Sequence, residues 1–238
     1  FTIMEQIFHC KGKMKYIILF LEFLFHTCTS KSSATNVHPT GREFIMTLLR
    51  RPQSEADGRY HHITPENANW KYVGFAAYDL KVGQVLTLDA SDQERCLVML
   101  SGFADFVVDD ESFSDVGERM SVFEKIAPHA IYATNGTAVT ITATTDVELA
   151  VCEAPGHGNH KTRWIKPTDM SREVRGAGTN TRHVCNILPQ DEPADSLLVV
   201  EVITPSGNWS SYPPHKHDTD NIPDESYLVV DWVKVFKQ

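Results

Sequence analysis

This chain of 238 residues has only five cysteines, and their distribution argues against folds held together by disulfides or by structural zinc. The five cysteines are odd in number and scattered, and none forms a C-x-x-C pair. This pattern argues against a disulfide framework and a structural zinc site, and it fits a reducing, cytoplasmic location. Cys96 and Cys152 lie within apolar runs, which predicts small buried side chains.

Positive charge is also in short supply. Lysine and arginine number 22 against 31 aspartate and glutamate residues, which gives a formal net charge of −9. Nucleic-acid binding needs clustered basic side chains, and no basic run with interleaved aromatic residues is present. We therefore expect no nucleic-acid partner and favour a small-molecule or protein partner.

A long apolar run is missing near the N-terminus. Residues 16–25 follow three lysines and loosely resemble a signal-peptide core, but Glu22 interrupts them. A membrane-spanning helix needs about 20 residues, so we expect no membrane contact. Residues 1–36 are predicted to be an atypical leader, disordered or non-native; a secretory signal and an amphipathic helix stay open.

The rest of the chain is made of short apolar runs separated by Gly, Pro, Asn and Asp. No long stretch carries a helical period, and the runs are rich in Val, Thr, Ile and aromatic residues. They predict an all-β barrel or jelly roll. Asn135-Gly136 predicts a two-residue hairpin, and residues 138–143 and 147–152 alternate as paired strands do. The tandem His61-His62 is interpreted as part of a loop.

His215 and His217 form the most informative pattern. On an extended strand, two residues one position apart project to the same side, so both imidazoles would point into whatever the strand encloses. In a barrel they could bind a divalent metal if neighbouring strands supply further ligands. Two ligands alone bind most divalent ions weakly and do not define the coordination geometry. Lys216 faces the other way, so it is predicted to contact substrate only if the strand bends.

Other candidate residues are weaker. Arg182 follows a glycine-flanked turn, and its planar guanidinium suits a substrate carboxylate; a surface arginine at a strand start is the alternative. Asp224 and Glu225 are either replacement oxygen ligands or solvated loop acids. The first half of the chain has no H-x-H pattern, and His129 alone cannot hold a metal, so this half is predicted to be a scaffold.

Three stretches carry a resemblance to a known family. They are Leu100-Ser101-Gly102 with the preceding strand, RGAGTNTRHV at residues 175–184, and VITPSGNWSSYPPHKHD at residues 202–218. Through them the chain, from about residue 38 to 228, resembles the 5-deoxy-glucuronate isomerases, which are two-cupin sugar isomerases. The resemblance implies tandem cupin (jelly-roll) barrels, all-β in class. It also implies an intramolecular oxidoreductase that converts 5-deoxy-D-glucuronate to 5-dehydro-2-deoxy-D-gluconate in myo-inositol catabolism.

The same resemblance implies a metal site in the second barrel, holding a divalent ion such as zinc or manganese. His215 and His217 match two family ligands. The family's glutamate ligand does not carry over, because Val230 stands at its position, and the strand with the late histidine ligand is absent. The catalytic base is not assigned.

These departures predict a C-terminally truncated chain of impaired activity. Residues 37–170 are expected to form a first cupin-like barrel without a metal site, and residues 171–228 the first part of a second, incomplete barrel. Residues 229–238 are expected to be a tail foreign to the family.

Two other functions stay open, a 5-keto-4-deoxyuronate isomerase of pectin breakdown and a non-catalytic sugar-binding cupin. The context Trp209-Ser-Ser-Tyr-Pro-Pro favours the inositol enzyme. Its deoxy-uronate substrate carries a carboxylate, for which Arg182 and Lys216 are the candidate contacts. A homo-oligomer also stays open.

Overall fold

The computed structural model describes residues 52–68 and 72–208 with their side chains, and three further strands by their backbone alone. The strands in chain order are β1 Met4–Cys10, β2 Lys13–Phe20, β3 Arg59–Ile63, β4 Gly74–Leu80, β5 Val85–Leu88, β6 Gln93–Ser101, β7 Ala104–Val108, β8 Glu111–Val116, β9 Ala130–Ala133, β10 Val139–Ala143, β11 Val147–Pro155, β12 Arg163–Ile165, β13 Ser171–Arg175, β14 Arg182–Leu188, β15 Leu197–Ile203 and β16 Leu228–Val230. The helices are short: α1 Pro65–Ala68 and three 3₁₀ turns, Val122–Glu124, Pro167–Asp169 and Gly178–Asn180.

Strands β3 to β12 build a first barrel from two antiparallel sheets. One sheet has the order β12-β9-β6-β11-β4-β3 and the other the order β5-β10-β7-β8. Their facing sides enclose one apolar interior that includes Leu97, Phe106, Ile141 and Leu149. Two sheets closed face to face in this way are the jelly-roll arrangement predicted from the sequence.

The six-stranded sheet of the barrel is apolar on both faces. Along β6, Leu97 and Met99 point into the barrel interior, while Cys96, Val98 and Leu100 belong to a second core on the outer face. The alternation follows from the two-residue period of a strand. A strand buried on both sides reads as a continuous apolar run, and the predicted burial of Cys96 and Cys152 is confirmed.

The second core is closed by the strands that follow the barrel. Cys185 and Ile187 of β14, with Leu197 and Val199 of β15, pack on the outer face of the six-stranded sheet. These strands belong to a sheet of order β13-β14-β15-β2-β1-β16, in which only the β15–β2 pair is parallel. The opposite face of β14 and β15 carries a small apolar cluster of Val184, Val200 and Val202.

The predicted hairpin at Asn135-Gly136 is wrong. These two residues do form a turn, and Gly136 has a φ of +80°. The flanking strands β9 and β10, however, lie in different sheets, and β10 pairs with β5 and β7 rather than with β11. Alternating apolar residues in successive strands can face one interior from opposite sheets, so alternation alone does not identify the pairing partner.

The interpretation of His61-His62 as a loop is also wrong, because both residues lie in β3. Tyr60 and Ile63 bury their side chains in the outer-face core and hold this edge strand against β4. His61 is buried and His62 is exposed, as adjacent residues of a strand should be.

Candidate functional site

Strand β15 leads toward the segment that contains the predicted metal ligands. His215, Lys216 and His217 lie outside the described residues, as do Asp224 and Glu225, and Val230 is described by its backbone only. Among residues 52–68 and 72–208, no three His, Cys, Asp or Glu side chains are grouped so as to hold a metal ion. This part of the chain therefore does not itself supply a complete metal site.

Arg182 is buried, with only 6 % of its surface exposed. Its cross-strand partner is Arg175, and alternation along β14 places it on the same face as Val184. A guanidinium nitrogen of Arg182 donates to the carbonyl oxygen and the Oδ1 of Asn180, at 3.1 and 2.5 Å. The side chain is thus held by the preceding turn, and its proposed contact with a substrate carboxylate stays a prediction.

A cavity of about 620 Å³ lies between β13–β15 and the segment 122–127. Its walls are mostly apolar, and its charged or titratable lining residues are Lys125, Arg172, Glu173, His183 and Glu201. Thr204 also lines it; this residue is fully buried, and its hydroxyl has no hydrogen-bond partner. A buried polar atom without a partner is costly, so the cavity is suited to a ligand with a polar group at this point.

Cys185 lines the same cavity but is not a nucleophile. Burial raises the pKa of its thiol to about 11. Because the thiolate is the reactive form, the side chain is protonated and unreactive near neutral pH.

Glu201 forms a buried ion pair with the first barrel. Its carboxylate oxygens accept hydrogen bonds of 2.7 and 3.1 Å from Arg119, and both side chains are at most 4 % exposed. Arg119 also donates to the carbonyl oxygens of Leu100 and Ile126. Sequence reasoning missed this pair, although a lone glutamate inside the apolar run of β15 signals a partner, since charged residues are rarely buried unpaired.

Glu94 is a second buried carboxylate that joins the barrel to β15. It is fully buried and accepts hydrogen bonds from the backbone N–H groups of Asp195, Ser196 and Leu197, at 2.8, 2.6 and 2.5 Å. The hydroxyl of Tyr132 donates to it at 2.6 Å. Burial raises the pKa of this phenol, and so does the hydrogen bond to Glu94, so the hydroxyl remains a donor.

Asp195, next to this anchor, holds the loop after β11. Burial acts to raise the pKa of Asp195, but hydrogen bonds from the His157 N–H and from Asn159 outweigh it and lower that pKa. Together Glu94, Asp195 and Glu201 fix the path of β15, and with it the direction in which the chain leaves toward His215.

His129 has a structural role in the first barrel. Its Nδ1 accepts a hydrogen bond of 2.9 Å from the indole N–H of Trp164, and its Nε2 lies 3.5 Å from Glu118. Burial lowers the pKa of His129, and Lys166 lowers it further, while Glu118 acts to raise it. In the neutral imidazole, Nδ1 has a lone pair that can accept the hydrogen bond from Trp164, which the protonated ring lacks.

The lowered pKa of His129 predicts a loss of stability in acid. The unfolded chain takes up a proton near pH 6.5, before the folded chain does, so the stabilisation is complete above that pH and is lost as the pH falls through the folded pKa. His129→Gln keeps an acceptor for Trp164 but cannot titrate. We expect urea unfolding between pH 7.5 and 5 to depend less on pH in this variant, by at most about 1.4 kcal/mol per pH unit. His157→Gln, at an exposed position, is the control, and equal pH dependence of wild type and His129→Gln would refute the assignment.

Two sheets around one apolar interior, followed by antiparallel strands packed on the outside, define a jelly-roll protein. The model of the KduI/IolB family matches residues 48–230, and the chain belongs to this family. The structure resembles the crystal structure of an IolB-like protein from Salmonella typhimurium, with a TM-score of 0.72 and 48 % identity. That match covers 76 % of this chain and 68 % of the other.

Curated relatives agree with the family assignment. The 5-deoxy-glucuronate isomerase of Geobacillus kaustophilus is 52 % identical over 172 residues, or 72 % of this chain. The enzyme of that name from Bacillus subtilis (strain 168) is 44 % identical over 186 residues, covering 76 % of this chain and 69 % of the relative. The chain spans only 62 % of the length of the Geobacillus protein.

Within the described part of the chain, no helix is long and apolar enough to cross a membrane.

Proposed function

We propose that this chain has the activity of a 5-deoxy-glucuronate isomerase, converting 5-deoxy-D-glucuronate to 5-dehydro-2-deoxy-D-gluconate in myo-inositol catabolism, and that this activity is impaired because Val230 stands at the position of the family's glutamate ligand. The observation that carries the proposal is the 52 % identity over 172 residues to a relative of that name. The cavity beside β15 supports it, because Lys125 and Arg172 offer a sugar acid cationic groups within mostly apolar walls. The two lining carboxylates, of Glu173 and Glu201, are already paired with Arg175 and Arg119.

The proposal includes the division near residue 170 between a first barrel and the start of a second, and it includes the site residues. His215 and His217 are proposed to bind a divalent metal, zinc or manganese, and Arg182 and Lys216 to contact the substrate. Such a metal polarises the carbonyl and hydroxyl oxygens of a sugar. A cytoplasmic location is part of the same proposal, and it is supported by the free, buried thiols of Cys96, Cys152 and Cys185.

The test combines metal analysis with turnover. We expect the purified chain to bind a divalent ion more weakly than a complete site would, because Val230 replaces the family's glutamate ligand. We expect it to convert 5-deoxy-D-glucuronate slowly and 5-keto-4-deoxyuronate not at all. The double variant His215→Gln/His217→Gln should lose the ion and about 100-fold or more in rate, since even the partners of metal ligands are worth 10–100-fold. His157→Gln is the matched control and should retain both. Conversion of the pectin-derived substrate instead, or of neither, would contradict the proposal.

A further inference from the structure

The mouth of the first barrel is polar where its interior is apolar. The inward-facing row of β6 runs from Met99 through Leu97 to Arg95, and that of β11 from Leu149 through Val151 to Glu153. Each row therefore ends in a charged residue at the same end of the barrel. Here lies a cavity of about 300 Å³, which we call the barrel-mouth cavity; its lining includes Arg59, Ala76, Tyr78, Leu88, Arg95 and Glu153.

Arg95 is fixed in the wall of the barrel-mouth cavity. Its side chain is only 8 % exposed, and its Nε donates to Glu153 Oε1 at 2.8 Å. Its terminal nitrogens donate to Ser91 Oγ at 3.0 Å and to the carbonyl oxygen of Thr137 at 3.4 Å. A guanidinium has five N–H donors in a rigid fork, so these bonds orient it and still leave donor capacity for a ligand.

A second arginine stands on the neighbouring strand pair. Arg59 is the cross-strand partner of Tyr78, and its guanidinium pairs with Glu55. Both arginines are thus held by carboxylates while they line the same cavity. Groups fixed in advance lose little conformational entropy when a ligand binds.

The floor of the barrel-mouth cavity is formed by aliphatic side chains. Ala76, Leu86, Leu88 and Val151 line it. The inward position after Ala76 on β4 is Gly74, where an added Cβ would lie 3.2 Å from Glu153 Oε2. The rest of the lining, apart from Ala90, is polar, so the cavity joins an apolar floor to many hydrogen-bonding groups. A volume of about 300 Å³ is at the lower limit of small-molecule sites.

The charge of the lining selects between kinds of ligand. The lining includes three acidic residues, Asp57, Asp89 and Glu153, against two arginines, Arg59 and Arg95, and one histidine, His62. A bound carboxylate would meet this excess of negative charge at short range. The ring of a neutral sugar instead offers C–H groups to the floor and hydroxyl groups to both the arginines and the carboxylates.

We propose that the barrel-mouth cavity is a binding site for a neutral monosaccharide or cyclic polyol. The site is separate from the candidate site beside β15: the barrel interior and β14–β15 lie on opposite faces of the six-stranded sheet. It therefore does not depend on the proposed isomerase activity. The first barrel is then a ligand-binding domain as well as a scaffold.

The test uses saturation-transfer NMR with glucose and with glucuronate, two probes of the same ring that differ in charge. We expect glucose to bind, and to bind more tightly than glucuronate. Ala90 is exposed on the rim of the cavity, so Ala90→Phe should block entry without disturbing the core and raise the Kd for glucose about tenfold or more. Ala177→Phe, at an exposed turn outside the cavity, is the matched control and should leave the Kd unchanged.

Circular dichroism and the unfolding midpoint establish that both variants fold. Three results would overturn the proposal: no saturation transfer from glucose to wild-type protein, tighter binding of glucuronate than of glucose, or the same Kd for glucose in Ala90→Phe as in wild type. The isomerase assay does not enter this test, so a failure of the proposed function would not be mistaken for a failure of the sugar site.

Discussion

Replacing Glu201 by leucine is expected to lower the free energy of unfolding by about 3–5 kcal/mol, the usual cost of removing one partner of a buried ion pair. Arg119, which is 2 % exposed, would keep its hydrogen bonds to two carbonyl oxygens but lose its counter-charge. Urea unfolding followed by tryptophan fluorescence measures the change. Because β15 packs on the first barrel through this pair, the loss should affect the whole cooperative unit.

Two controls separate the cost of an unpaired buried charge from the loss of an ion pair as such. The double variant Arg119→Met/Glu201→Leu should be more stable than Glu201→Leu alone, because an apolar pair leaves no buried charge. Lys81→Met breaks the exposed pair of Lys81 with Asp146, whose side chains are 75 % and 59 % exposed, and should change the midpoint little. If Glu201→Leu unfolds at the wild-type midpoint, the pair does not stabilise the fold.

The second large effect is expected for Glu94→Gln, which keeps the shape of the side chain and removes its charge. A glutamine amide has only one acceptor oxygen, so its NH₂ group would face backbone N–H donors that now bond to a carboxylate oxygen. Hydrogen bonds to charged groups are each worth about 1.5–3 kcal/mol, and we expect a total loss of about 3–5 kcal/mol in the same unfolding experiment.

Tyr132→Phe provides the graded comparison for Glu94. This variant removes one of the four hydrogen bonds that the structure shows to the carboxylate, and should cost about 1.5–3 kcal/mol. The order wild type, Tyr132→Phe, Glu94→Gln in decreasing stability is therefore predicted. A Glu94→Gln variant as stable as Tyr132→Phe would mean that the backbone N–H groups do not depend on the charge.

The strands of the first barrel were predictable because a strand buried on both faces is recognised from the residues of its own segment. A run such as Cys96-Leu97-Val98-Met99-Leu100 is apolar at every position, and a strand buried on both faces has that sequence whatever its neighbours are. The pairing was not predictable in the same way. β9 and β10 flank a turn sequence that suits a hairpin, but each is paired with strands far away in the chain, and no local pattern encodes that choice.

In the candidate site, too, some features were predictable from local sequence and others were not. His215, His217, Lys216 and Arg182 were selected by residue type and spacing, which are local properties. The contacts of Glu94 and Glu201 join residues about 80 to 100 positions apart, and only the folded chain brings them together. The barrel-mouth cavity likewise combines residues of five strands or their flanking loops.

The sequence by itself determined the all-β class, the burial of its apolar runs and the membership of the KduI/IolB family, because these depend on a two-residue period and on a distinctive motif, which are local features of the chain. Tertiary structure alone decided which strands pair, which carboxylates are buried, and which polar groups converge at the mouth of the first barrel. The physical reason is that buried charges and cavities depend on neighbours distant in sequence, whose positions are set by the closure of the sheets and not by any one segment.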